Sequence, residues 1–144
     1  MSLKNRLIIM NFLQFAVWGA YLTSLSRYLG PAGMGAYIGI FYSVQGIVSI
    51  FMPAFIGIIA DRWVSAQKLL GACHLLAAVF MASAALYAIN SGGNVSFAIF
   101  FTLYTLSVAF YMPTLALSNS VAYTILDRSG LDTVKAFPPI RVFG

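Results

Sequence analysis

Three polar or aromatic side chains near the amino terminus combine types and spacing that suit ligand binding. Asn11, Gln14 and Trp18 stand at i, i+3 and i+7, which places them on one face of a helix. Amides buried away from water need hydrogen-bond partners, so this face should look into a helix bundle or a cavity. Either the amides bond neighbouring helices together, or they line a substrate site. Gln45 and Asn119 raise the same two alternatives.

Arg141 is the second candidate. It follows Pro138 and Pro139, and proline suits the first turn of a helix, where its missing N–H would be unpaired anyway. We therefore expect a helix to begin at about residue 138, with a cation opposed by the positive end of the helix dipole. Arg141 is then either a positively charged membrane anchor or a fork of donors aimed at oxygen atoms of a ligand.

The residues that an enzyme or a metal site requires are scarce in this sequence. His74 and Cys73 are the one histidine and the one cysteine, and no carboxylate lies near them along the chain. They do not supply a set of metal ligands. No acidic residue falls inside an apolar stretch, which counts against a small proton-driven exporter. The sequence predicts no enzyme, no metal and no cofactor.

The composition indicates that helices in a lipid bilayer hold these residues. Of 144 residues, 61% are hydrophobic and 8% are charged, whereas a soluble domain has about 25% charged residues. This balance excludes a water-soluble fold, and it also excludes disorder, which needs low hydrophobicity. The basic residues behind the net charge of +5 are scattered, so no nucleic-acid partner is expected.

Glycine, proline and charged residues divide the chain into spans. A crossing helix needs about 20 apolar residues, and breaks are expected in the glycine-rich segments 30–35 and 90–94. No alternation of the kind found in membrane barrels is visible. The sequence therefore predicts an all-α integral membrane protein with four transmembrane helices and the start of a fifth. The four predicted spans cover residues 7–28, 36–60, 69–89 and 95–123.

Lysine and arginine residues set the predicted orientation, because they concentrate on the cytoplasmic side of membrane proteins. Arg27 stands alone on one side of the predicted spans. We therefore place the amino terminus in the cytoplasm and interpret the first span as an uncleaved anchor. The unfinished fifth helix predicts that the chain is a fragment. The basic residues on the opposite side from Arg27 are Lys4, Arg6, Arg62, Lys68, Arg128 and Lys135.

The loop after the second span resembles motif A of the major facilitator superfamily. Gly57 is followed by the acid Asp61 and the base Arg62, while Val64 replaces the next glycine of the motif and Lys68 is what remains of its basic run. The resemblance implies a gating motif. Its glycine would allow close helix approach, and its acid would cap a helix or pair with a cation in the gate.

Four further segments, in order and with matching spacing along the whole chain, are similar to the nucleoside–proton symporter family of that superfamily. The resemblance implies a twelve-helix transporter in a bacterial inner membrane, built from two six-helix halves that work by alternating access. Residues 1–144 would then belong to the amino-terminal half, with the rest of the transporter as partner. The segments are Phe12-Leu13-Gln14-Phe15 with Trp18-Gly19, Phe51-Met52-Pro53-Ala54, Tyr111-Met112-Pro113-Thr114-Leu115, and Phe137-Pro138-Pro139-Ile140-Arg141.

The same resemblance implies roles for individual residues. In that family the arginine after the paired prolines belongs to the nucleoside site, which makes Arg141 a substrate-binding candidate. Gln14 and Trp18 match family positions in the first helix and are the other candidates. The carboxylates linked to the proton would lie in the second half of the transporter.

The expected function is therefore proton-coupled nucleoside uptake. Two alternatives stay open from the sequence. One is a transporter of the same superfamily with another small solute, such as a sugar or a drug. The other is a small membrane protein that assembles with other chains and transports nothing.

Overall fold

Helices account for nearly the whole chain in a computed structural model that describes all 144 residues. The structure contains no strand, which confirms the all-α class. Each predicted span corresponds to one long helix, α1 to α4. The helices are α1 (Leu3–Leu29), α2 (Ile38–Arg62), α3 (Ala66–Asn90), α4 (Phe97–Arg128) and α5 (Thr133–Arg141).

The connection between α1 and α2 is more helical than predicted. The glycine-rich segment interrupts the α-helix at Gly33, but a π-helical turn, Gly30–Met34, and a 3-10 turn, Gly35–Tyr37, fill the connection. By length and apolar composition, three helical segments rather than four are therefore long enough to cross a membrane. These are Leu3–Arg62, Ala66–Asn90 and Phe97–Arg128.

The first of these segments is long enough for two crossings. Its 60 residues would extend about 90 Å as a straight helix, roughly three times the thickness of the hydrocarbon core. Gly33, with φ 74° and ψ 10°, is the one residue of the connection with non-helical dihedral angles. Because glycine has no Cβ, it adopts this left-handed conformation without steric cost, and the chain direction changes there.

The packing of the bundle is organised around α4, against which both α2 and α3 pack. Phe41 of α2 is fully buried, and its ring centroid lies 5.2 Å from those of both Phe101 and Tyr104 in α4. On the side of α3, three of the four buried residues are small, and Ser107 donates a hydrogen bond to the carbonyl of Ala77 at 2.7 Å. Small residues allow close approach of membrane helices, and here they bring α3 next to α4.

Helix α4 continues through Pro113, which is buried in the middle of the bundle. The sequence suggests that Thr114 and Ser118 could satisfy the carbonyl that this proline leaves without a donor. Their hydroxyls instead donate to the carbonyls of Tyr111 and Leu115, which lie one turn before each of them. Hydroxyl side chains reach only carbonyls three or four residues earlier, so neither reaches the carbonyl that Pro113 frees.

Helix α5 begins earlier than predicted. The side chain of Asp132 accepts a hydrogen bond from the N–H of Val134 at 3.0 Å and caps the helix at Thr133. The prediction that the fifth helix begins at about residue 138 is wrong, because this upstream cap satisfies a free N–H of the first turn. Pro138 lies inside α5, and Arg141 lies in its last turn, where the helix dipole favours a cation.

We predict that Gly33→Ala lowers the free energy of unfolding by about 1 kcal/mol, because a residue with a Cβ is strained at positive φ. The measurement is denaturant unfolding of detergent-purified protein, followed by circular dichroism. Gly39→Ala is the matched control, since Gly39 is helical and an added Cβ there meets no atom within 4 Å. Equal stability of the two variants would contradict the assignment of Gly33 as the required break.

Candidate functional site

The end of α5 places Arg141 against α1. Its neighbour Ile140 is fully buried in a cluster with Leu7 and Leu126, which fixes the backbone at this point. The Cζ atom of Arg141 lies 4.0 Å from the centroid of the Phe15 ring. This distance is well inside the range of an attractive cation–π contact, so the guanidinium lies over the face of the aromatic ring.

The edge of the same guanidinium is free. Arg141 is half-buried, makes no side-chain hydrogen bond and has no acidic partner, since the one ion pair of the chain joins Lys135 to Asp132. Guanidinium groups donate hydrogen bonds in their own plane and match the geometry of oxygen acceptors. The arrangement is that of a fixed fork of donors, one of the two roles that the sequence allows for this residue.

Trp18 lies beside Phe15 on α1. The ring centroids are 6.2 Å apart and the planes are inclined by 53°. The indole N–H of Trp18 is buried and has no hydrogen-bond partner. Phe15 thus lies between Arg141 and Trp18. We call these three residues the Arg141–Trp18 row. The row has N–H donors at both ends and the Phe15 ring between them.

Gln14 is turned toward α4 instead. Its side chain is 3% exposed, and its Nε2 donates to the hydroxyl oxygen of Thr114 at 2.8 Å. The Tyr111 hydroxyl also donates to the backbone carbonyl of Gln14. Asn11 is buried as well, with its Nδ2 3.4 Å from the carbonyl of Leu7. The contact of Gln14 favours the interhelical role for this amide, whereas Asn11 bonds within α1 and its Oδ1 has no partner.

Of the three predicted substrate-binding residues, the structure brings two together. Arg141 and Trp18 meet through Phe15, whereas Gln14 bonds α4. Phe15 belongs to one of the segments that resemble the transporter family, but the family resemblance does not identify it as a contact of Arg141. Its position three residues before Trp18 places both rings on adjacent turns of one helix face, and this spacing is the signal that could have identified it.

The gating motif lies at the end of α2. An added Cβ at Gly57 meets no atom within 4 Å, so the structure shows no close helix approach at this glycine. Asp61 and Arg62 are exposed in the last turn and make no ion pair. The roles implied for these three residues therefore stay predictions.

A groove between α1 and α3, with α4 as its floor, contains two cavities of about 590 and 460 Å³. Tyr21, Met81 and Ala85 line both cavities, which makes them continuous. His74 lies at one end, 3.0 Å from the carbonyl of Leu70 through Nδ1, and no group of three potential metal ligands exists in the chain. The lining is almost wholly apolar and, with its many alanines, is typical of a helix-packing surface.

Comparison with known proteins identifies the relatives of this chain. The family model described as nucleoside H⁺ symporter matches residues 1–144. The chain is 43% identical over 146 residues to the xanthosine permease of Escherichia coli (strain K12), and 42% identical over 146 residues to the nucleoside permease NupG of the same organism. Both alignments cover 100% of this chain and 33% of the relative.

The crystal structure of the nucleoside transporter NupG superposes with a TM-score of 0.87 at 40% sequence identity. The match covers 100% of this chain and 34% of that one. The chain thus spans about a third of the length of the curated relatives it matches. This likeness confirms the helical membrane fold class, and a multi-pass membrane protein follows from it together with the apolar helices.

We predict that Thr114→Val lowers the free energy of unfolding by about 1 kcal/mol, because it removes the partner of the buried Gln14 amide. Thr102→Val is the control, since the hydroxyl of this exposed threonine bonds only to Ala98 within its own helix. The measurement is unfolding of purified protein in detergent. If Gln14→Leu and Thr114→Val had fully additive effects, the two side chains would not be coupled.

Proposed function

This chain belongs to the nucleoside H⁺ symporter family, and we propose that it forms part of a transporter that carries nucleosides across a membrane together with protons. The relatives that match it are a xanthosine permease and a nucleoside permease. Residues 1–144 would form part of the amino-terminal six-helix half of a major facilitator superfamily fold. Transport would require the second half, because alternating access moves two halves about a shared site.

The observation that carries this proposal is the Arg141–Trp18 row. A nucleoside has a planar base and several oxygen acceptors in its base and ribose. The free edge of the Arg141 guanidinium supplies donors for such oxygens. The indole of Trp18 supplies an aromatic surface, and its buried N–H has no partner within the chain. Gln14 would support this site from the α4 side rather than bind the substrate.

The proposed location is a bacterial inner membrane with the amino terminus in the cytoplasm. The distribution of Lys and Arg beside the helices supports this orientation. Asp61 and Arg62 would then lie at the cytoplasmic end of α2. Their exposed charges, which have no partner within the chain, are suited to pair with groups of the second half and so to close a gate.

We predict that an antibody raised against residues 127–135 detects a native membrane protein at about three times the 15.6 kDa of this chain. Blotting of the source membranes provides the measurement. A band at the mass of the chain itself would contradict a transporter made of two halves. It would favour a small oligomeric membrane protein.

We also predict that Arg141→Ala raises the Kd of the full-length protein for uridine by about tenfold or more, because hydrogen bonds from a charged donor contribute about 1.5–3 kcal/mol. Titration calorimetry of the purified protein measures this change. Arg27→Ala is the control, because Arg27 is an exposed arginine at the end of α1.

A competition panel of nucleosides, sugars and drugs against labelled uridine tests the substrate class in the same preparation. Displacement by nucleosides alone is the expected result. Wild-type protein that binds a sugar or a drug but no nucleoside would overturn the proposed substrate. Unchanged uridine binding in Arg141→Ala would remove Arg141 from the site while leaving the substrate class intact.

A further inference from the structure

We propose that Phe15 is a positioning residue for Arg141, and that Gly144 provides the space that their contact requires. The Phe15 ring would hold the guanidinium in place so that its N–H groups stay available for a ligand. This inference rests on the proposed nucleoside function, because it assigns Phe15 an effect on nucleoside affinity that is exerted through Arg141.

The Arg141 side chain is held at both of its ends. At the backbone end, the fully buried Ile140 and the contact between Phe137 and Tyr123, with ring centroids 4.4 Å apart, attach α5 to its neighbours. At the far end, the Cζ atom lies 4.0 Å from the Phe15 centroid. A long flexible side chain held at both ends loses less conformational freedom when a ligand binds.

The donors of Arg141 stay unoccupied beside Phe15. An aromatic ring attracts the guanidinium without offering it an oxygen acceptor, whereas an acidic partner would occupy its N–H groups. No side-chain hydrogen bond or ion pair occupies them in this chain. Phe15 therefore restrains the position of the guanidinium and leaves its donors available for a ligand.

Gly144 lies against both Phe15 and Arg141, where no side chain fits. A Cβ at this position would lie 2.8 Å from Cδ2 of Phe15 and 3.2 Å from Nη1 of Arg141. It would also lie 3.0 Å from the backbone carbonyl oxygen of Asn11, which cannot move away as a flexible side chain could. The N–H of Gly144 donates to the carbonyl of Arg141 at 3.1 Å, which holds the glycine in place. Any side chain at 144 would therefore displace the ring or the guanidinium.

Two other roles of Phe15 would leave a different signature. The ring could contribute only apolar packing, or it could stack directly on the nucleobase. In both cases removal of the ring would weaken binding whether or not Arg141 is present. Positioning alone predicts that the effect of Phe15 disappears once Arg141 is gone, so a double-mutant cycle separates these roles.

The test is the uridine Kd of full-length protein carrying Phe15→Leu, Arg141→Ala or both. We expect Phe15→Leu to raise Kd about three- to tenfold in the wild-type background, in the range of a partly desolvated cation–π contact. In the Arg141→Ala background the same change should alter Kd less than about twofold. Phe15→Tyr, which keeps the aromatic face, should recover most of the affinity.

Phe80→Leu is the matched control for the loss of an aromatic ring. Phe80 is also half-buried and stacks on Phe110 with centroids 5.9 Å apart, but it has no cation beside it. Its replacement should leave the uridine Kd unchanged. Gly144→Ala keeps the Phe15 ring but places a Cβ between the ring and the guanidinium. It should therefore raise the uridine Kd of otherwise wild-type protein. In protein that also carries Arg141→Ala, it should leave Kd unchanged.

The outcomes distinguish this inference from the function on which it rests. Wild-type protein that binds no nucleoside would overturn both. If the wild-type protein binds nucleosides normally and Phe15→Leu changes Kd equally with and without Arg141, only the positioning role is overturned. If Phe15→Leu does not fold, Gly144→Ala decides the question by the same comparison, and an unchanged Kd in that variant would count against the inference.

Discussion

The hydrogen bond between Gln14 of α1 and Thr114 of α4 is the constraint on which the geometry of the site depends. In lipid, a buried amide must find its partner within the protein, and this partner is 100 residues away in sequence. Successive residues of a helix point about 100° apart. Because Gln14 faces α4, Phe15 lies on the neighbouring face of α1. The end of α5 places Arg141 beside that face. The polar bond orients the helix, and the aromatic contact follows from that orientation.

The cap of α5 is equally important to the position of Arg141. Because Asp132 starts the helix at Thr133, α5 is nine residues long and Arg141 is its last residue. A helix that began at Pro138 would have placed the same arginine at the positive end of the dipole. The actual register places it at the negative end, where a cation is stabilised, and it also buries Ile140 in the cluster that attaches α5 to α1 and α4.

The helices could be predicted from the sequence because apolar length and composition decide them locally, and the resemblance to transporter motifs identified the family. The errors have separate causes. At the α1–α2 connection only Gly33 takes a left-handed conformation, and helical turns continue on either side of it. The start of α5 is set by the cap at Asp132, which lies upstream of the prolines. The site was predicted only in part. Helical periodicity groups Gln14 with Trp18, yet which face meets α4 depends on long-range packing, which local patterns do not contain.

The charge of Arg141 explains why an aromatic neighbour suits this position better than an acidic one. A cation within a membrane protein is costly unless it is compensated. A carboxylate would compensate the charge but would also occupy the donors through a bidentate contact. The Phe15 ring, 4.0 Å from Cζ, and the negative end of α5 compensate part of the charge and form no hydrogen bond with the guanidinium edge. The same two features that stabilise the cation thus leave it able to recognise oxygen atoms, which is the property that a nucleoside site requires.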